Sequence, residues 1–397
     1  MATYFSGFTL FDGRTLKTKY GVLVAEGRIG WVGPHARAPR EALAAHEEEG
    51  RGRTLTPGLI DCHVHLCFSG SADFEEEARG MTPALAALRA AQNAVHHLDH
   101  GVTTVRDLGG PDSVVCEVAR AIDEGIIPGA RVVAAGRALT ITGGHGHSIG
   151  VARQVDGPDA VRRAVREEIR EGARAIKVIA TGGVLTPGIA ADFTAFTAEE
   201  LEAATDEAHT WGYGVAAHAI GAGGIALAVD AGVDSIEHGS MITTETARRM
   251  KERGTYHVAT INALRGIVDH PDEVPEYAVR KGRSIADLAH DSFRRATRAG
   301  VRQACGTDAG TPFNSHGSAP VEIMRMVEWG LTPLKAMQAA TSNAAGLLRR
   351  PDLGVIEVGA RADLVVFAGD PLEDISHILD PELVMKDGEL VTSASGT

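Results

Sequence analysis

The sequence predicts an α/β chain, a (β/α)8 barrel of the TIM type over residues 58–353, with residues 1–57 and 354–397 meeting as one small β-sandwich. Three observations carry this. Eight short apolar runs alternate with longer helical patterns. No GxGxxG phosphate fingerprint opens the first unit, which sets the open doubly wound sheet second. Both chain ends are strand-like runs broken by turn dipeptides, and neither would bury much of a core alone.

In chain order, "TYFSGFTLFDGRTLKTKYGVLVAEGRIGWVG" supplies the first strand runs, separated at Asp-Gly and Glu-Gly. The polar stretch "EALAAHEEEGRGR" predicts a mobile surface loop. The barrel runs follow: "PGLIDCHVHL", "VTTVRDLGG", "ARVVAAGRAL", "ARAIKVIATGG", "GYGVAAHA", "VDSIEHGS", "TYHVAT" and "VRQACGTDAG". Between them, from about Ala84 to Leu348, lie helical stretches with readable ends. In "TAEELEAATDEAHTWG", Thr197 and Glu200 form a capping box and Gly212 stops the helix. "LGVIEVGARADLVVFAGDPL" and "LVMKDGELV" then return to short strands.

The 397 residues suit one large barrel plus a small domain, and 44% hydrophobic with 23% charged residues is ordinary for a folded soluble protein. Lys and Arg number 39 against 52 Asp and Glu; the net charge of −13 opposes nonspecific binding to nucleic acid or anionic lipid, and directs attention to a small-molecule substrate. The opening residues show no cationic segment followed by an apolar core, and no run reaches the ~18 residues of a membrane span, so the expected location is the cytoplasm. Cys62, Cys67, Cys116 and Cys305 form no CxxC pair and read as small buried apolar residues.

Chemistry in such a barrel sits where strands end. His63 and His65 close the first run, and the period of two puts both on one face, inward if Val64 faces the helices. Alone, the pair reads either as two metal ligands or as two partly buried histidines. Lys177 lies among apolar neighbours in "AIKVIA"; it either reaches water at the strand mouth or, if buried, needs a partner, deprotonation or modification. His218, His238 and Asp308 end the fifth, sixth and eighth runs. Each alone is unremarkable, but a barrel would converge all six on one point, and imidazole with carboxylate suits zinc or a similar metal with a position left for water. His96, His97 and His100 end a long helix, where cations suit the helix dipole and mark no site.

These motifs, in this order, resemble the metal-dependent amidohydrolase superfamily over nearly the whole chain, through "PGLIDCHVHL", "IEHGS", "GTDAG" and the closing "ARADLVVF". "TGGHGHS" and "KVIATGG" are similar to the imidazolonepropionase-like branch that includes Xaa-Pro and Xaa-Arg dipeptidases. The resemblance implies two divalent metals, expected to be zinc, with Lys177 carbamylated to N6-carboxylysine between them. His63, His65, Lys177 and Asp308 would hold the first metal, and Lys177, His218 and His238 the second. A hydroxide would lie between the metals, with Asp308 as general base and then acid.

The same resemblance implies His145 of the glycine-rich loop as a hydrogen-bond donor to the substrate, with His147 nearby. Dipeptidases of that branch carry a Tyr shortly after the strand-six histidine; Met241 stands there instead, which implies another amide, lactam or carbamate-like substrate packed on Met241. Tyr256 and His257 are the nearest alternative donors. The leading expectation is a binuclear hydrolase of a C–N bond in a dipeptide or N-acyl amino acid, forming homo-oligomers as relatives do. A one-metal deaminase or imidazolone hydrolase is the second enzyme reading, disfavoured by Lys177; a catalytically dead scaffold is the third.

Overall fold

The computed structural model describes residues 2–391; Met1 and residues 392–397, the last part of the expected sandwich segment, lie outside the described residues. Seven regular parallel strands form the barrel wall: Leu59–Val64, Val102–Asp107, Arg131–Ala134, Ala175–Ile179, Gly214–Ala219, Ser235–His238 and Tyr256–Val258. The third run departs from expectation by splitting in two. Ala138–Thr140 follows Arg131–Ala134 and pairs with both the fourth strand and Ala152–Gln154, making a ribbon that carries the glycine-rich loop.

The eighth run is not a regular strand. Its parallel bridges to neighbouring strands, among the described residues, are isolated ones at His257↔Gln303 and Val64↔Ala309. The physical reason lies in Asp61, whose buried carboxylate accepts from the backbone N–H groups of His63 and Thr307 and from the Thr307 hydroxyl. That side chain replaces part of the backbone ladder. Gly306 also sets the spacing, since a Cβ there would meet Val258 Cγ1 at 2.4 Å and His63 Cβ at 3.0 Å.

Thr82, Thr197, Thr243 and Thr332 each cap a helix by accepting a backbone N–H, and the Thr197–Glu200 capping box is present. Helix Pro83–Asp99 buries an alanine stripe, Ala86, Ala90 and Ala94, against the barrel core.

The two chain ends meet in one eight-stranded sheet, in which Arg53–Pro57 lies between Leu364–Ala368 and Thr3–Phe11. Phe5, Phe8, Leu10, Leu55, Leu364 and Val366 fill the sandwich core, while Val365 and Phe367 on the opposite face join the barrel core. The polar stretch expected as a mobile loop is corrected: His46–Glu49 is a strand in parallel register with Thr3–Ser6. Its ladder uses backbone groups, which need no apolar side chains, and charge on an outer strand discourages pairing with other chains. All four cysteines are buried and free. No helix among the described residues is long and apolar enough to cross a membrane.

Candidate metal centre

His63, His65, Lys177, His218, His238 and Asp308 line a single cavity at the strand ends. Asp308 Oδ1 lies 3.3 Å from His63 Nε2 and 3.1 Å from His65 Nε2. These three offer ligand atoms all within 4.8 Å of one another. Lys177 is 4% exposed, so it does not reach water, and its Nζ lies 3.5 Å from His63 Nε2. The rings of His63 and His238 are centred 5.4 Å apart, and those of His218 and His238 4.6 Å apart.

Each of the four imidazoles commits one nitrogen elsewhere. His63 Nδ1 donates to Glu237 Oε2 at 2.8 Å, His65 Nδ1 to the Gly109 carbonyl at 2.8 Å, and His218 Nε2 to the Gly182 carbonyl at 2.8 Å. His238 Nδ1 meets Thr260 Oγ1 at 2.6 Å; that hydroxyl donates to the Ala259 carbonyl, so it accepts from the imidazole. His63, His218 and His238 therefore each keep an unprotonated nitrogen for the cavity, while His65 Nε2 meets the Asp308 carboxylate; outer partners of this kind orient metal-binding histidines.

The electrostatics agree. Burial, together with the Lys177 charge, holds His63, His218 and His238 well below the ordinary imidazole pKa, so they are neutral. Burial also works against charge on His65, but the Asp308 carboxylate raises its pKa overall, marking that spot as one that favours a cation. Burial pulls the Lys177 amine down from 10.5 to about 8. Asp308 stays below the usual carboxylate range despite burial, because His63, His65 and Lys177 surround it.

Backbone strain concentrates at the same place. His238, Thr260 and Asp308 have φ of 66°, 49° and 61°, left-handed values that non-glycine residues rarely adopt. The consequence is visible at His238. Ile236 faces the helices and Glu237 the barrel interior, so strict alternation would turn His238 outward; the left-handed turn at the strand end brings it to the cavity instead.

His145 also lines the cavity, with its ring centred 4.7 Å from that of His218 and its Nδ1 2.6 Å from Thr186 Oγ1. The ring lies over Gly183, where a Cβ would come within 2.3 Å of Nε2. Burial, with Lys281 and Lys177 nearby, lowers its pKa to about 4.

Four expected substrate contacts, His147, Met241, Tyr256 and His257, do not line the cavity. His147 is exposed at the start of a short 3-10 turn, its Nδ1 held by the Gly144 carbonyl. Met241 packs on the helix-side core, because the turn after His238 sends its neighbour Ser240 to the cavity. Tyr256 begins its strand, with Arg302 stacked over its ring at 4.1 Å. His257 is fully buried beneath the site and donates from Nε2 to the His238 carbonyl at 3.0 Å. His97 is corrected too: it is buried and neutral rather than a cation at a helix end, with Nε2 3.1 Å from His316 Nδ1.

The sequence reading does not single out Glu237, Arg106, Thr260 or Ser240. Arg106, buried inside the barrel, donates to Glu237 Oε1 at 3.0 Å, and Ser235 donates to the same oxygen. A charged residue inside an apolar parallel strand was the available signal for Arg106. Nothing in the sequence distinguishes Thr260 or Ser240 from ordinary loop residues.

Residues 54–391 match the amidohydrolase family. The chain is 34% identical to an ochratoxinase from Aspergillus niger over 94% of its own length and 82% of that protein. It is 30% identical to an imidazolonepropionase from Cutibacterium acnes, over 87% and 83% respectively. Among solved structures, a Xaa-Pro dipeptidase with bound methionine in its active site superposes with a TM-score of 0.91 and 34% identity, covering 99% of this chain and 100% of that one.

Proposed function

The chain belongs to the amidohydrolase family, and on that premise we propose that it is a binuclear metal-dependent hydrolase cleaving the C–N bond of a small amide, a dipeptide or an N-acyl amino acid. The observation that carries this reading is the set of four imidazoles, each with one nitrogen held by an outer partner and the other left for the cavity beside Lys177 and Asp308. His63, His65 and Asp308 would hold one metal, and His218 and His238 a second, with Lys177 between them. Bound there, divalent metals polarise the scissile carbonyl and ease deprotonation of water.

The protein's own groups do the rest. Asp308 takes a proton from the attacking water as the O–C bond forms, and returns it to the nitrogen as the C–N bond breaks. The Gly146 N–H donates to Thr186 Oγ1, so the Thr186 hydroxyl is free to donate to His145 Nδ1. His145 then presents Nε2–H to the substrate oxygen as a neutral donor.

Lys177 fits a modified role. An amine drawn down to about 8 has an uncharged fraction near neutral pH, and that form adds to carbon dioxide, releasing a proton. The product, N6-carboxylysine, exchanges a buried cation for an anionic two-oxygen ligand. The test is to strip the protein of metal and reload it with Zn²⁺, with and without bicarbonate. Two metals per chain and bicarbonate-dependent recovery of amide hydrolysis are expected; a protein that retains no divalent ion, or hydrolyses amides unchanged after Lys177→Ala, would overturn the reading.

A further inference from the structure

Lys177 and Asp308 are the only Lys, Arg, Asp or Glu side chains lining the cavity among the described residues, and both belong to the candidate metal centre. Beyond that centre the wall is mostly apolar, with His145, Ser240, Thr260 and Thr311 its polar members. Val184 and Leu185 come from the loop after the fourth strand, Leu264 and Ile267 from helix Ile261–Val268, and Ile285 and Ala289 from helix Glu276–Ala299. Phe74, Ile149 and Val151 also line it.

Lys281, a cation beside the loop that lines this wall, is already engaged. Lys281 Nζ donates to the carbonyls of Thr186 at 2.6 Å and Gly183 at 3.1 Å. From the same helix, Tyr277 donates to the Leu185 carbonyl at 3.0 Å. These bonds pin the loop that presents Val184 and Leu185, so this part of the wall is held in place before a ligand arrives.

We propose that the substrate amide carries a neutral, apolar substituent, aromatic or branched aliphatic, seated between Leu185, Leu264, Ile267 and Ile285. This deepens the hydrolase reading and rests on it for the bond cleaved. A charged group in that seat would lose its water and find no counter-charge on Leu185, Leu264, Ile267 or Ile285, whereas an apolar one gains from leaving water. Water adds across the C–N bond to yield an acid and an amine, one of which bears the apolar group.

The test compares N-benzoyl-L-phenylalanine, apolar on both sides of the amide, with N-succinyl-L-glutamate and N-(4-aminobutanoyl)-L-lysine, charged on both sides; all three share the α-carboxylate. Binding is read by calorimetry on the metal-free protein, and turnover on the Zn²⁺-loaded protein. N-benzoyl-L-phenylalanine is expected to bind most tightly and to exceed both charged compounds by roughly 100-fold in kcat/KM, the scale on which apolar pockets discriminate. Leu185→Arg, on a partly exposed loop, is expected to narrow the gap to the succinyl compound at least tenfold. Either charged compound bound or turned over within tenfold of N-benzoyl-L-phenylalanine overturns the apolar seat. Selective binding of N-benzoyl-L-phenylalanine with no turnover of any of the three supports the seat and counts against the hydrolase reading.

Discussion

At the residue scale, Asp308 and Glu237 have separable parts. Asp308 stands beside both first-strand histidines and remains ionised, so Asp308→Asn should keep the fold while lowering kcat by about 10²–10⁴-fold, measured by steady-state kinetics alongside circular dichroism. Glu237 does not itself line the cavity; it orients His63 and is itself held by Arg106. Glu237→Gln should weaken metal binding by about 10–100-fold in chelator competition, and it leaves Arg106 less well paired, with a measurable loss of stability. His63, His65, Lys177, His218, His238 and Asp308 were legible because strand-end position reports on convergence in a barrel. Glu237 was not, since its partner His63 lies far away in the sequence and only the closed barrel brings them to 2.8 Å.

At the scale of elements, helix Pro83–Asp99 is tied to the segment after the eighth run through two buried histidines. His316 Nε2 faces the Phe68 carbonyl at 2.8 Å and must donate to it, so His316 Nδ1 accepts from His97 Nε2. That leaves His97 Nδ1 buried without a partner. Burial draws His316 down from 6.5 to about 4 and His97 well below its ordinary value. Because the folded-state values lie below the unfolded one, the unfolded chain takes up protons first on acidification. This stability is therefore fully present above pH 6.5 and is lost as pH falls toward 4, at about 1.4 kcal/mol per pH unit for each proton. Urea denaturation across that window should show a shallower pH slope for His316→Gln than for the unaltered chain; identical slopes would rule the pair out as a source of acid sensitivity. The helix caps were readable because they depend on neighbours three residues apart. The broken eighth strand was not, because the Asp61 carboxylate that replaces its ladder comes from the other end of the barrel chain.

At the scale of the whole molecule, the terminal sheet does more than cover its own core. Val365 and Phe367 pack into the barrel cluster, Gly58 N–H donates to the Asp363 carbonyl at 2.8 Å, and buried Arg131 meets Asp363 at 2.6 Å. We propose the division at residues 57/58 and 353/354, and expect a chain of residues 58–353 alone to be insoluble or to melt well below the intact protein, as judged by soluble yield and thermal denaturation. Folding of that piece with undiminished stability would show the sheet to be dispensable. The sequence by itself determined the alternation of strands and helices, the helix caps and the six residues that meet at the strand ends, because these follow from periodicity and position along one chain. Only the tertiary structure decided which imidazole nitrogen faces the cavity, that Ser240 rather than Met241 lines it, and that its far wall is apolar. Those outcomes depend on left-handed turns at strand ends and on hydrogen bonds between distant segments, and neither leaves a periodic trace in the sequence.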